Sequence, residues 1–219
     1  MRALIAAVLL LSSLAFAEVP TLSVSGGYSM QVFAARGFDL IAPTDDVHLG
    51  RIAAGTGFRV GFGLLDVEVA YAGGGTRALT QSTVPVQFEL QGVQLALAYR
   101  LPVLSWLHPY VQLGGGYDWA TLTLYSADRL TQTVGSASGS GLVGLQLLVK
   151  LGQPKLARAP WLVFDLGLGG VLRQAPNFDA MGPKPADKPP ADAIARGTVD
   201  VGAVPLSGFT ARLLVGVRY

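Results

Sequence analysis

Few residues in this sequence are equipped for reaction chemistry. Its 219 residues include no cysteine, which removes disulfides, thiolate metal sites and cysteine nucleophiles. Two histidines are present, His48 and His108. His48 stands close to Asp45 and Asp46, and Ser82 lies in a neighbouring loop, so a base, an acid and a hydroxyl for ester hydrolysis or acyl transfer come from one region. A rim histidine with local carboxylates is the simpler reading, and neither histidine has a serine two residues away. His108 sits between Trp106 and Pro109 and carries no assignment. Gly73-Gly74-Gly75 and Gly114-Gly115-Gly116 are not followed by Lys-Ser/Thr or by a helical pattern, so they are not phosphate cradles. Asp45-Asp46 lacks the spacing of a calcium loop. No catalytic residue, cofactor or metal is therefore expected.

Charge is sparse and nearly balanced, with 16 Lys and Arg against 14 Asp and Glu, 14% of the chain. That gives no electrostatic footprint for a nucleic acid. Mean hydropathy is +0.46, as in membrane proteins. One long apolar run exists, Ala3 to Phe16, behind the basic start Met1-Arg2 and ahead of the small-x-small triplet Ala15-Phe16-Ala17. Residues 1–17 read as a cleaved signal peptide and 18–219 as the mature, single-domain chain. Cleavage leaves 15 basic against 14 acidic side chains.

The mature chain has strand periodicity, repeated eight times. Apolar residues recur at every second position near residues 21–33, 47–60, 62–73, 84–100, 108–125, 139–151 and 161–174, and in a last stretch ending at Tyr219. In the third, Leu65, Val67, Val69 and Tyr71 oppose Asp66, Glu68 and Ala70. In the fourth, the apolar parity slips from Val86, Phe88 and Leu90 to Val93, Leu95, Leu97 and Tyr99. A β-bulge at Gln91-Gly92 accounts for that slip economically.

The faces opposite the apolar ones carry mid-strand charge and many glycines. Arg51, Arg59, Arg100, Lys150, Arg173, Arg212 and Arg218 are the bases, and Asp66, Glu68, Glu89, Asp118 and Asp165 the acids. A soluble sandwich or carrier barrel turns such charges to water. Here the apolar face is continuous over eight strands, which suits a barrel with lipid outside and a polar lumen. The expectation is an all-β, transmembrane, eight-stranded antiparallel up-and-down barrel, its lumen plugged by these ion pairs. Tyr71, Tyr99, Trp106, Tyr110, Trp119 and Trp161 form the expected aromatic girdle. Links after even-numbered strands are short, and those after odd-numbered strands longer. Both termini are thus placed in the periplasm, with a Pro-rich loop, 175–204, outside the cell.

The last stretch, Phe209-x-Ala211-x-Leu213-x-Val215-x-Val217-x-Tyr219, and the His108-Pro109-Tyr110 entry to a Gly-rich strand resemble the small eight-stranded outer-membrane barrels of Gram-negative bacteria, the OmpA/OmpX/OmpW-like group. The resemblance covers essentially all of the mature chain, with no peptidoglycan-binding domain after it. It implies that Phe209, Leu213, Val215, Val217 and Tyr219 form the signal read by the barrel-assembly machinery, after delivery by periplasmic chaperones. It also implies a monomer in contact with outer-membrane lipids and lipopolysaccharide. The function expected is structural or in surface interaction. A narrow channel for ions or small apolar solutes is the first alternative, and a lipid A or phospholipid-modifying enzyme the second.

Overall fold

The computed structural model describes residues 21–33, 46–79, 85–125, 129–151, 159–179, 181 and 199–219. The signal-peptide assignment, Asp45, Ser82 and most of the Pro-rich loop lie outside them. Eight strands close into one barrel: β1 (Thr21–Phe33), β2 (Asp46–Val60), β3 (Gly63–Leu79), β4 (Pro85–Arg100), β5 (Leu107–Tyr125), β6 (Arg129–Lys150), β7 (Trp161–Arg173) and β10 (Gly208–Arg218). Each pairs antiparallel with its sequence neighbours, and β1 closes on β10. Closure pairs each strand on both sides through the belt, the condition for strands in lipid; the outer ends of β3, past Gly74, and of β6, before Ser138, pair on one side within the barrel. Two short strands, β8 (Asn177–Phe178) and β9 (Gly202–Ala203), form a separate hairpin between β7 and β10.

Thr21 and Tyr219 lie at one end of the barrel, where Leu22 and Tyr219 exchange backbone hydrogen bonds; this is the near end. The tight turn 61–62 belongs to it. Gly61 there has φ +61°, a left-handed conformation that suits glycine. On the outside, Leu22, Val24, Ile52, Leu95, Leu97, Leu113, Val143, Leu166, Leu168 and Leu213 are exposed, between 45% and 73%. Val111 to Trp119 carries this belt across β5 over roughly 20 Å, allowing for strand tilt. That is most of the apolar band, about 25 Å tall, of outer-membrane barrels.

Three expectations about the strands need correction. No bulge interrupts β4: its pairing with β3 and with β5 runs unbroken through Gln91 and Gly92. Val86, Phe88 and Leu90 instead point inward, on the same face as Ala96, Ala98 and Arg100. Second, β6 begins at Arg129, so most of the stretch between Ser126 and Ser138 is strand, paired with the outer part of β5. Likewise β3 runs on to Leu79. The β3–β6 side of the barrel is therefore taller than the rest. Third, residues at the base of the Pro-rich loop are built into the fold. The β8–β9 hairpin buries Phe178, and Met181 bridges to Val199.

Candidate functional site

The lumen holds most of the buried charge, and its chemistry follows from strand parity. Even residues of β3, β4, β5, β6 and β10 and odd residues of β1, β2 and β7 face inward. Among the described residues this buries five guanidiniums, those of Arg51, Arg100, Arg173, Arg212 and Arg218, with four carboxylates, those of Asp66, Glu68, Asp118 and Asp165. Isolated charges there would be costly, and these are paired.

At the near end Asp66 receives both Arg218, at 2.9 Å, and Arg100. Arg218 also donates to Gln146 Oε1 at 3.1 Å and Thr21 Oγ1 at 3.1 Å. In the middle, Arg212 Nε lies 3.2 Å from Asp165 Oδ1 and its Nη1 3.6 Å from Glu68 Oε1. Glu68 accepts from Arg51 Nη2 at 2.9 Å, while Arg51 Nη1 donates to Gln94 at 2.8 Å. Nearer the far end, Arg173 pairs with Asp118 and donates to Gln31 Oε1 at 2.8 Å. The guanidiniums thus cross the bore from several strands, and each carboxylate serves at least one of them.

Tyr110 joins the layers. Its hydroxyl donates to Asp165 Oδ1 at 2.7 Å and accepts from Arg212 Nη2 at 3.0 Å. The guanidiniums of Arg100 and Arg212 lie 5.6 and 5.5 Å from its ring centroid, within range of a cation–π contact. The ring occupies the space over Gly144 and Gly167, where an added Cβ would come within 2.5 and 2.7 Å of the tyrosine. Those two glycines are what let a phenol lie flat across a narrow interior.

Toward the far end the bore becomes apolar. Phe88, Leu90, Leu122, Phe178 and Leu206 are each 1% exposed or less. With Phe33, Val47, Leu49, Val86, Leu130, Met181 and Val204 they form one cluster. Phe33 and Phe88 meet edge to face, with centroids 6.4 Å apart, a favoured aromatic geometry. The β8–β9 hairpin supplies the top of this cluster. Its return segment is tied to the charged layer, because Arg173 donates from Nη1 to the Leu206 carbonyl at 3.1 Å and from its backbone N–H to Ser207 Oγ at 2.9 Å. Between the layers a cavity of about 20 Å³ remains, with Arg51, Asp118, Arg173 and Arg212 among its walls. That is room for about one water.

Several assigned residues lie elsewhere. Glu89 is on the outward face of β4, where the Gln87 amide donates to its carboxylate. The unbroken register of β4 puts it there, so it is no member of the lumen network. Arg59 and Lys150 have inward parity but are exposed at the near-end mouth. Trp161 also has inward parity; Lys150 Nζ lies 5.9 Å from its ring centroid. Tyr110 is 3% exposed inside the barrel. Neither Trp161 nor Tyr110 is a girdle residue. Tyr71, Tyr99, Trp106 and Trp119 are on the outside, as are Phe209, Leu213, Val215, Val217 and Tyr219 of the last strand. His48 is exposed on the outer wall with Nε2 3.3 Å from Asp46. Sequence reasoning missed Tyr110, Gln94 and Gln146 as network members, although their even parity with Asp118 and Arg100 was the available signal.

No protein-family model matches the sequence, and no curated protein matches it significantly. Solved structures do match. Ail, the attachment invasion locus protein of Yersinia pestis, in complex with the heparin analogue sucrose octasulfate, aligns over 91% of this chain and 99% of its own, with 14% identity and a TM-score of 0.51. Ail without that ligand aligns over 91% and 98%, with 14% identity and a TM-score of 0.50. Neisserial surface protein A aligns over 91% and 95%, with 14% identity and a TM-score of 0.45. The fold is that of the small eight-stranded outer-membrane β-barrels.

Proposed function

We propose that this chain is an outer-membrane barrel with a closed bore, acting in structure or surface interaction and without catalysis, its termini in the periplasm and its far end outside the cell. One observation carries the reading: among the described residues, the arginine–carboxylate layer and the apolar cluster succeed each other along the bore, with a cavity for about one water between them. An eight-stranded barrel is about filled by its own side chains, so little structural change would be needed to keep it shut. The surface role is the one that Ail's name states for that protein, on the same fold. An assembly role for Phe209 to Tyr219, contact with lipopolysaccharide and a monomeric state belong to the same reading.

Conductance decides it. Refolded protein, with its folded state checked by heat-modifiable gel mobility, is expected to be electrically silent in planar bilayers. Steady, salt-dependent steps that change in Arg100→Gln would establish a channel and end the closed-bore reading. Orientation is tested separately: a protease added to intact cells should cut within 182–198 and leave an epitope at the mature N-terminus untouched.

A further inference from the structure

The tall β3–β6 side turns a polar face outward, above the apolar belt. Across the strands run the rows Gly75–Glu89–Thr121–Thr133 and Arg77–Gln87–Thr123–Thr131. Below them Gly73–Gln91–Trp119–Gly135 marks the upper edge of the belt. The threonines hydrogen-bond in pairs, Thr121 to Thr133 at 2.8 Å and Thr123 to Thr131 at 3.2 Å. A groove of about 470 Å³ lies along β3 and β4, its polar walls formed by the outward side chains of Arg77, Gln87, Glu89 and Gln91. Small-molecule clefts commonly fall between roughly 300 and 1,000 Å³.

The lining selects a ligand class. Two carboxamides, a guanidinium and a carboxylate offer donors and acceptors together, which matches neighbouring hydroxyls that must do both. One cation and one anion leave no net charge for gathering a polyanion. The groove lacks the buried aliphatic or aromatic pocket that anchors a peptide. Exposed rings stand at its lower edge: Tyr71 donates to Gln91 Oε1 at 3.2 Å, and Trp119 pairs with Gln91 across the strands. Trp119 and Tyr117 meet edge to face at 5.3 Å. Such rings present a flat apolar surface to the C–H face of a sugar and a polar edge to its hydroxyls.

The position selects the source. The groove shares the outward parity of Val93, Leu95 and Leu97, so it faces sideways from the barrel. Gln91, Glu89 and Gln87 lie two to six residues beyond Val93, roughly 7–20 Å along the strand at about 3.3 Å per residue. In a membrane whose hydrocarbon ends near Trp119, that is the headgroup layer. We infer that this groove binds the sugar headgroup of a glycolipid in the membrane around the barrel, an inference that rests on the outer-membrane reading above.

The test uses Trp119 as the reporter, made the sole tryptophan by Trp106→Phe and Trp161→Phe. Full-length protein is placed in nanodiscs of phosphatidylethanolamine and phosphatidylglycerol, with or without rough lipopolysaccharide that keeps its core sugars. Iodide quenching of Trp119 should fall at least twofold with lipopolysaccharide, and Gln87→Ala with Gln91→Ala should abolish the difference. Equal quenching in both discs overturns the inference, as does a difference that survives the double substitution. Equal protection by free core oligosaccharide in phospholipid discs also overturns it, and reassigns the groove to a soluble glycan. Conductance of the same variants keeps the two readings apart. Silent bilayers leave the closed bore standing whatever the quenching shows, and steady steps would count against the closed bore alone.

Discussion

The two ends of this barrel apply opposite chemistry to one uninterrupted set of strands. Below the row Ala72–Gly92–Asp118–Ser136 the inside is charged and the outside aliphatic. Two residues higher, Gly74–Leu90–Ala120–Val134 faces an apolar interior, and above that Glu89, Gln87, Thr121 and Thr133 face outward. Register does not change across the boundary; the medium outside does. Lipid rewards an apolar exterior, and the polar residues that remain must satisfy one another across the bore. Beyond the membrane the ordinary rule returns, with apolar side chains inside and polar ones toward water.

The comparison is broken most severely by removing a shared carboxylate from the charged half. Asp66→Ala leaves Arg100 and Arg218 buried without their common partner. About 3–5 kcal/mol of stability should go, read as a lower urea midpoint in detergent micelles. A stability within about 1 kcal/mol of wild type would mean that water reaches these guanidiniums.

In the apolar half the largest single loss should come from Phe88→Ala, about 3 kcal/mol from lost transfer energy and a residual cavity. Phe88→Gln should cost at least as much, since a buried amide there has no evident partner. If Phe88→Gln is tolerated, the far end is wet and the contrast between the halves fails. Met181→Ala tests whether the hairpin belongs to that dry half: about 2 kcal/mol should be lost, and protease cleavage near Val199 should speed up while the barrel stays intact.

Tyr110→Phe is milder. It removes one hydrogen bond given to Asp165 and one taken from Arg212, while the ring stays stacked. About 1–2 kcal/mol is expected, with gel mobility unchanged. The smallest effect concerns the hairpin beside the β8–β9 pair. A hydrogen bond that the protonated Asp179 carboxyl donates to Asp200, with the charge of Asp200 beside it, holds the Asp179 carboxyl above its ordinary range. A raised acid favours the native contact when protonated, so hairpin order is fullest below the ordinary carboxylate range and declines as pH rises through the raised value. Amide protection factors at Met181 should rise on acidification, and Asp179→Asn should remove that dependence.

Much of this was legible in the residues. Phe209, Leu213, Val215 and Val217 alternate with Thr210, Arg212 and Leu214 so regularly that face and environment follow from the strand period alone. Asp66 and Glu68 lie between Leu65, Val67 and Val69, and could only be luminal once the aliphatic face was given to lipid. Glu89 shows where such reading stops. Its local pattern, acid between Phe88 and Leu90, matches that of Glu68 between Val67 and Val69, yet the two acids face opposite ways. A slip of one residue and a change of medium leave the same trace in a hydrophobicity pattern. Only the unbroken pairing of Gly92 with both Ala72 and Asp118 separates them.

The sequence by itself determined that eight strands must close and, outside β4 and the outer part of β6, which residues alternate along them, because backbone satisfaction and a two-residue period are local requirements. Tertiary structure decided which arginine meets which carboxylate, that Tyr110 lies across Gly144 and Gly167, and that Phe178 and Leu206 return to pack into the apolar cluster at the far end. Those outcomes depend on stagger around the whole ring, where residues such as Arg173 and Gln31, 142 positions apart, meet only after closure.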